Sequence, residues 1–253
     1  MKKKILNFIR RIVGTVNLEN ELQIIKHKLN YEIKTALLFN NSINDCEWLK
    51  YKSFSPGSWA CDYSCLYTLF RVLNDMRPKS ILEFGLGQSS KLIHQYANFF
   101  NNVNAITCEH DIDWINFFKK HQDNNYNINM LQMELEEVFY KDKPTLTYKD
   151  FINELSNGKK GGGGDKYDFI FVDGPYGSDN YSRSQVIHLI KNNLNESFCI
   201  VMDDYERKGE KETVQEVIDI LNFEKKDFLY NVYYGEKEHI LLCSKDLRFL
   251  TTY

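Results

Sequence analysis

Ile81-Leu82-Glu83-Phe84-Gly85-Leu86-Gly87-Gln88-Ser89-Ser90 is the stretch that decides the fold. It reads as a buried apolar strand, a glycine-rich turn and then the start of a helix. Glycine lets the backbone take positive φ and come close to a ligand. The helix N-terminus behind the turn offers unpaired N–H groups to an anion. Taken alone, the pattern also fits a nicotinamide-binding turn, or a capped strand–turn–helix connection that binds nothing. Two details count against the nicotinamide reading. Ser90 stands where GxGxxG has its third glycine, and the acidic Glu83 lies two residues before the first glycine.

Outward from this turn, strands and helices alternate, which is the signature of a parallel sheet covered on both faces. The apolar runs predict strands at residues 80–84, 104–108, 128–132, 167–172 and 198–202. Helices are predicted near residues 89–99, 111–121, 148–155, 184–193 and 212–221. Two further strand-like runs, 228–234 and 239–244, flank Gly235-Glu236-Lys237-Glu238 and predict a C-terminal hairpin. Upstream, Ser55-Pro56-Gly57-Ser58 is a turn, with Ser58 the expected cap of a helix through Tyr63, Leu66, Leu69 and Val72.

Glu83-x-Gly85-x-Gly87 resembles motif I of the class I S-adenosylmethionine methyltransferases. The resemblance implies a Rossmann-like α/β fold: a mainly parallel seven-stranded sheet closed by an antiparallel C-terminal hairpin, with helices on both faces. It implies that Gly85 and Gly87 pass beneath the methionine and ribose of S-adenosylmethionine. Glu83 would anchor the amino end through the loop, and Ser89 and Ser90 would lie near the carboxylate. Glu109, ending the second strand, would accept hydrogen bonds from the ribose hydroxyls. Met133 and Glu134, after the third strand, would contact the adenine.

The fourth and fifth strands end in Asp173-Gly174-Pro175-Tyr176-Gly177 and Asp203-Asp204-Tyr205-Glu206-Arg207. In an open parallel sheet these carboxyl ends border the ligand crevice. Several carboxylates together are costly to bury unless a cation or a proton joins them. Hard oxygen ligands suit Mg²⁺ or Ca²⁺. The arrangement resembles the catechol-type and macrolide-sugar O-methyltransferases, which implies a metal on Asp173, Asp203 and Asp204. The same residues would otherwise cap turns or balance a sulfonium charge, and the sequence leaves both readings open. No lysine base follows, and Gly174-Pro175 departs from that family.

Val172-Asp173-Gly174-Pro175-x-Gly177 with Arg183 is also similar, over a short span, to the glucuronoxylan 4-O-methyltransferases. That implies an acidic saccharide acceptor. Arg183 and Arg207 would clamp it, or would instead pair with Asp179 and Glu206. Asp173, Asp203 and Arg183 are the candidate catalytic residues, with Asp173 the best-placed base if no metal binds. The expectation is an O-methyltransferase for a glycan or other small acceptor. A nicotinamide-dependent oxidoreductase and a methyltransferase-like scaffold are the rivals.

A net charge of −3 argues against nucleic acid as a partner, since phosphate binding needs a basic surface. Six cysteines without a CxxC pair are expected to be reduced, as in a cytoplasmic protein. Residues 1–50 form an expected helical extension ahead of a methyltransferase domain at 51–253. The first 13 residues are basic and amphipathic, and would either rest on an anionic membrane surface or pack as a terminal helix. Leu18, Leu22, Ile25, Leu29 and Ile33 form one helical stripe that would pack on the main domain or pair with a second copy as a homodimer. The lysine- and glycine-rich run at 159–164 is assigned no chemistry.

Overall fold

The computed structural model describes residues 15–121, 126–157 and 166–252. The basic stretch at 1–13 and the glycine run at 161–164 lie outside the described residues. A long helix, α1 (Thr15–Ile43), leads into α2 (Tyr63–Arg71), and then β1 (Ser80–Phe84), α3 (Gln88–Phe99), β2 (Asn104–Glu109), α4 (Ile112–His121) and β3 (Met130–Gln132) alternate. A small hairpin, β4 (Leu135–Tyr140) and β5 (Lys143–Tyr148), precedes α5 (Phe151–Asn157). The chain continues through β6 (Tyr167–Val172), a 3₁₀ turn (Ser184–Leu189), β7 (Leu194–Met202), α6 (Lys208–Phe223), β8 (Phe228–Tyr234) and β9 (Glu238–Ser244).

The main sheet has seven strands in the order β3-β2-β1-β6-β7-β9-β8. The first five are parallel, and β9 runs antiparallel to both β7 and β8. The expected mainly parallel sheet with its antiparallel C-terminal hairpin is therefore present. Alternation along each strand splits the side chains between two cores. Ile81, Phe169, Phe171, Val201 and Leu241 face one layer, shared with Phe39 and Ile43 of α1, Leu66 of α2 and Tyr96 of α3. Leu82, Phe84, Ile170, Val172 and Ile200 face the other, packed by Val214, Val217 and Leu221 of α6. Both faces of the central strands are dry, which explains why they read as continuous apolar runs.

Three local expectations are corrected, and one hairpin was not expected. Asp62, not Ser58, caps α2, its carboxylate accepting from the Cys65 N–H at 2.8 Å. The helix expected from residue 148 starts at Phe151, because Tyr148 ends β5. The β4–β5 hairpin was hidden because its turn residues, Lys141 and Asp142, take positive φ (48° and 63°) without glycine. The helix expected over 184–193 is only a short 3₁₀ turn.

The apolar stripe on α1 is exposed at Leu18, Leu22, Ile25, Leu29 and Ile33, and further along the helix Thr35, Phe39 and Ile43 are buried while Leu37 is exposed. No helix among the described residues is long and apolar enough to cross a membrane.

Candidate active site

The loops after β1 and β6 meet backbone to backbone. Gly85 has φ +98°, and a Cβ there would lie 2.8 Å from the Asp173 carbonyl oxygen. Gly174 fits as tightly from the other side, its missing Cβ 2.8 Å from the Gly85 Cα. Gly87 differs, since a Cβ there would meet nothing within 4 Å. It borders a cleft of about 1300 Å³ at the carboxyl ends of the parallel strands. That exceeds the usual size of a single-ligand pocket.

Glu83 does not reach this cleft. It is fully buried beneath the loop, where its carboxylate accepts from the hydroxyls of Ser89 (2.6 Å) and Thr107 (2.5 Å). Burial pushes its pKa up to about 7 despite these bonds. Ser90 accepts from the Gly87 N–H at 2.9 Å. Glu83, Ser89 and Ser90 thus brace the turn from behind.

Glu109 lines the cleft and fixes its local backbone. Its carboxylate accepts from the N–H groups of Leu86 (2.9 Å), His110 (2.6 Å) and Asp111 (2.9 Å). Burial opposes its ionisation, but these bonds and the His110 side chain outweigh it and hold the pKa below the ordinary value. Trp114 closes the same end, its indole N–H donating to the Leu86 carbonyl at 2.7 Å. Met133 and Glu134 are not brought to the cleft. Met133 is in the core, and the exposed Glu134 pairs with Lys149. His110, Asp111 and Trp114 line that end instead.

The other end is a network of charges. Arg183, only 4% exposed, lies 2.8 Å from Asp204 and 3.3 Å from Asp173. Arg207 lies 3.0 Å from Asp204, and Lys237, from the β8–β9 turn, lies 3.4 Å from Asp203 and 3.3 Å from Asp204. Glu210, fully buried, lies 3.9 Å from both arginines. Arg183 and Arg207 therefore do not pair with Asp179 and Glu206. Arg183 is a buried organiser of the carboxylates, whereas Arg207 is half exposed toward the cleft.

Burial raises the pKa of Asp173 to about 6, against the pull of Arg183 and Lys237. Burial and the neighbouring Asp173 also raise that of Asp203, well above the ordinary carboxylate range. Burial also opposes ionisation of Asp204, but Arg183, Lys237 and Arg207 hold its pKa below the ordinary value. Lys237 is buried too, yet Asp203, Asp173 and Asp204 keep its ammonium charged.

Carboxylate oxygens of Asp173, Asp203 and Asp204 lie within 4.8 Å of one another, the spacing expected for a shared metal. Two guanidinium groups and an ammonium already face these oxygens. A hard divalent ion there would be repelled by the three cations, so this end of the site does not fit Mg²⁺ as it is arranged.

Lys237 and the exposed Trp59 at the cleft mouth were not legible as site residues. Lys237 belongs to a hairpin turn that resembles any charged loop. It reaches the site because its N–H donates to the cap residue Asp62 at 3.0 Å, tying the turn to the start of α2.

No family model matches the sequence, and no curated protein matches it. Solved structures do resemble the fold. An O-methyltransferase from Bacillus cereus in complex with SAH superposes with a TM-score of 0.50 at 13% identity, over 85% of this chain and 90% of that one. The O-methyltransferase TomG from Streptomyces achromogenes, solved with SAM, gives 0.51 at 11% identity, over 87% and 97%. The chain has the Rossmann-like class I methyltransferase fold.

Proposed function

We propose that this chain is an S-adenosylmethionine-dependent O-methyltransferase acting on a hydroxyl of a small, anionic, saccharide-like acceptor. One observation carries the reading. A single cleft has the Gly85–Gly87 turn and Glu109 at one end and Asp173, Arg207 and Lys237 at the other. The cofactor supplies an electrophilic sulfonium methyl. At the first end, Gly87 leaves room for the ligand, and the helix start behind it favours a carboxylate. Glu109 offers its acceptor capacity to hydroxyls.

At the second end, Asp173 is the base. With its pKa near 6 it is ionised at neutral pH, yet more basic than an exposed aspartate. The acceptor oxygen bonds to the methyl carbon, the sulfur–carbon bond breaks, and the hydroxyl proton passes to Asp173. Arg183 holds that carboxylate in place. Arg207 and Lys237 give the acceptor an electropositive wall that suits a uronate or a phosphosugar. The aromatic face of Trp59 offers a stacking surface for a sugar ring at the cleft mouth. Because these cations already serve the carboxylates, the reading is methyl transfer without a metal at Asp173, Asp203 and Asp204.

The test is transfer of a labelled methyl group to a panel of uronic acids, phosphosugars and their neutral counterparts. Methylation restricted to the anionic members, unchanged by EDTA, supports the reading. Methylation of neutral acceptors alone would refute the anionic preference, and loss of activity with EDTA would restore the metal.

A further inference from the structure

Behind the carboxylate network, a second cluster joins three elements. Cys65 of α2, Asp203 at the end of β7 and His239 of β9 each offer one ligand atom, and these atoms lie within 4.8 Å of one another. All three residues are almost wholly buried. Two polar atoms of the cluster, Oδ1 of Asp203 and Nδ1 of His239, have no hydrogen-bond partner. An unsatisfied buried polar atom is costly, so two at one place call for an occupant.

The surroundings are arranged for a cation. His239 Nε2 lies 2.8 Å from the Thr68 hydroxyl. A proton held on Nε2 by that contact leaves the Nδ1 lone pair free, the arrangement typical of metal-bound histidine. The His239 ring also stacks on Tyr233, with centroids 5.3 Å apart, which fixes its plane. Lys237 faces the Oδ2 side of Asp203, leaving Oδ1 uncommitted.

We propose that Cys65, Asp203 and His239 bind a zinc ion that is structural and distinct from the methyl-transfer chemistry. A thiolate, a carboxylate and an imidazole form a donor set suited to a borderline-soft ion such as Zn²⁺ rather than to Mg²⁺. Cys61 hydrogen-bonds to Cys65 and lines the cleft, but its thiol does not belong to the cluster of ligand atoms. The ion would clamp α2 and the β9 end of the hairpin to the end of β7, fixing the wall that carries Lys237. This does not depend on the chain being a methyltransferase.

The experiment measures metal content of the full chain after purification, and Co²⁺ uptake by metal-stripped protein followed by absorption. One zinc per chain is expected, with a thiolate-to-cobalt charge-transfer band on Co²⁺ loading. Cys65→Ser should abolish that band, and His239→Gln should weaken zinc affinity at least tenfold. Cys46→Ser, outside the cluster, should change neither. The wild-type readings keep the test decisive if a variant fails to fold. Absence of zinc together with no Co²⁺ uptake would overturn the proposal, as would a Co²⁺ spectrum lacking the thiolate band or unaltered by Cys65→Ser.

Discussion

Gly85 and Gly87 share one turn, yet a side chain would act on each in a different way. At Gly85 it would collide with the Asp173 backbone at positive φ, so Gly85→Ala should lower stability by about 1–3 kcal/mol from backbone strain alone. Gly87 has extended backbone and open space, so Gly87→Val should fold normally and lose at least tenfold in affinity for S-adenosylhomocysteine. Chemical denaturation and calorimetric titration of the pair check this, and equal stability losses would contradict it. Glu83 carries a pH signature. Its folded pKa, about 7, lies above the ordinary 4.5, so the folded state holds the proton more tightly. Its contribution to stability is full below about pH 4.5 and is lost as pH rises through about 7, roughly 3 kcal/mol in all. Glu83→Gln keeps a partner for both hydroxyls without a charge. The variant should show a flatter stability profile between pH 4.5 and 7.5 than the parent; an unchanged slope would mean that Glu83 is not the titrating group.

At the scale of elements, the β8–β9 turn matters more than its sequence suggests. Lys237→Met would leave Asp203 and Asp204 one counter-ion short. It should cost about 3 kcal/mol in denaturant unfolding and lower methyl transfer to anionic acceptors, and an unchanged midpoint would contradict the network. The central strands were legible because both their faces are buried, which leaves unbroken runs such as Phe169-Ile170-Phe171-Val172. The terminal hairpin was legible as two strand-like runs flanking Gly235-Glu236-Lys237-Glu238. The β4–β5 hairpin was not, because Lys141-Asp142 is a tight turn without a glycine signal. In the site, Asp173, Asp203 and Asp204 could be placed because strand ends converge in a parallel sheet. Their partner Lys237 and the wall residue Trp114 could not, since only the folded chain brings the hairpin turn and α4 to the cleft. Met133 and Glu134 show the reverse case, near the third strand in sequence but not lining the cleft.

Across the whole molecule, α1 divides in two. Its first half exposes the apolar stripe, while Glu32 accepts from the Tyr63 N–H at 2.7 Å and Phe39 and Ile43 enter the core. Removing residues 1–28 should leave cofactor affinity within about twofold and the unfolding midpoint nearly unchanged, because residues 18–27 are exposed. Removing residues 1–49 strips out Phe39, Ile43, Trp48 and Leu49 and should leave the chain unable to fold cooperatively. Circular dichroism melts of the two truncations distinguish these outcomes, and a cooperative melt for the longer deletion would contradict the packing described. The central claim concerns the cleft as a whole: its glycine turn, Glu109 and charged wall serve S-adenosylmethionine chemistry. Isothermal titration of the full chain with S-adenosylhomocysteine and, separately, with NAD(H) tests this most directly. Saturable one-to-one binding of S-adenosylhomocysteine, with none of NAD(H), is the predicted result. Binding of NAD(H) alone would contradict it.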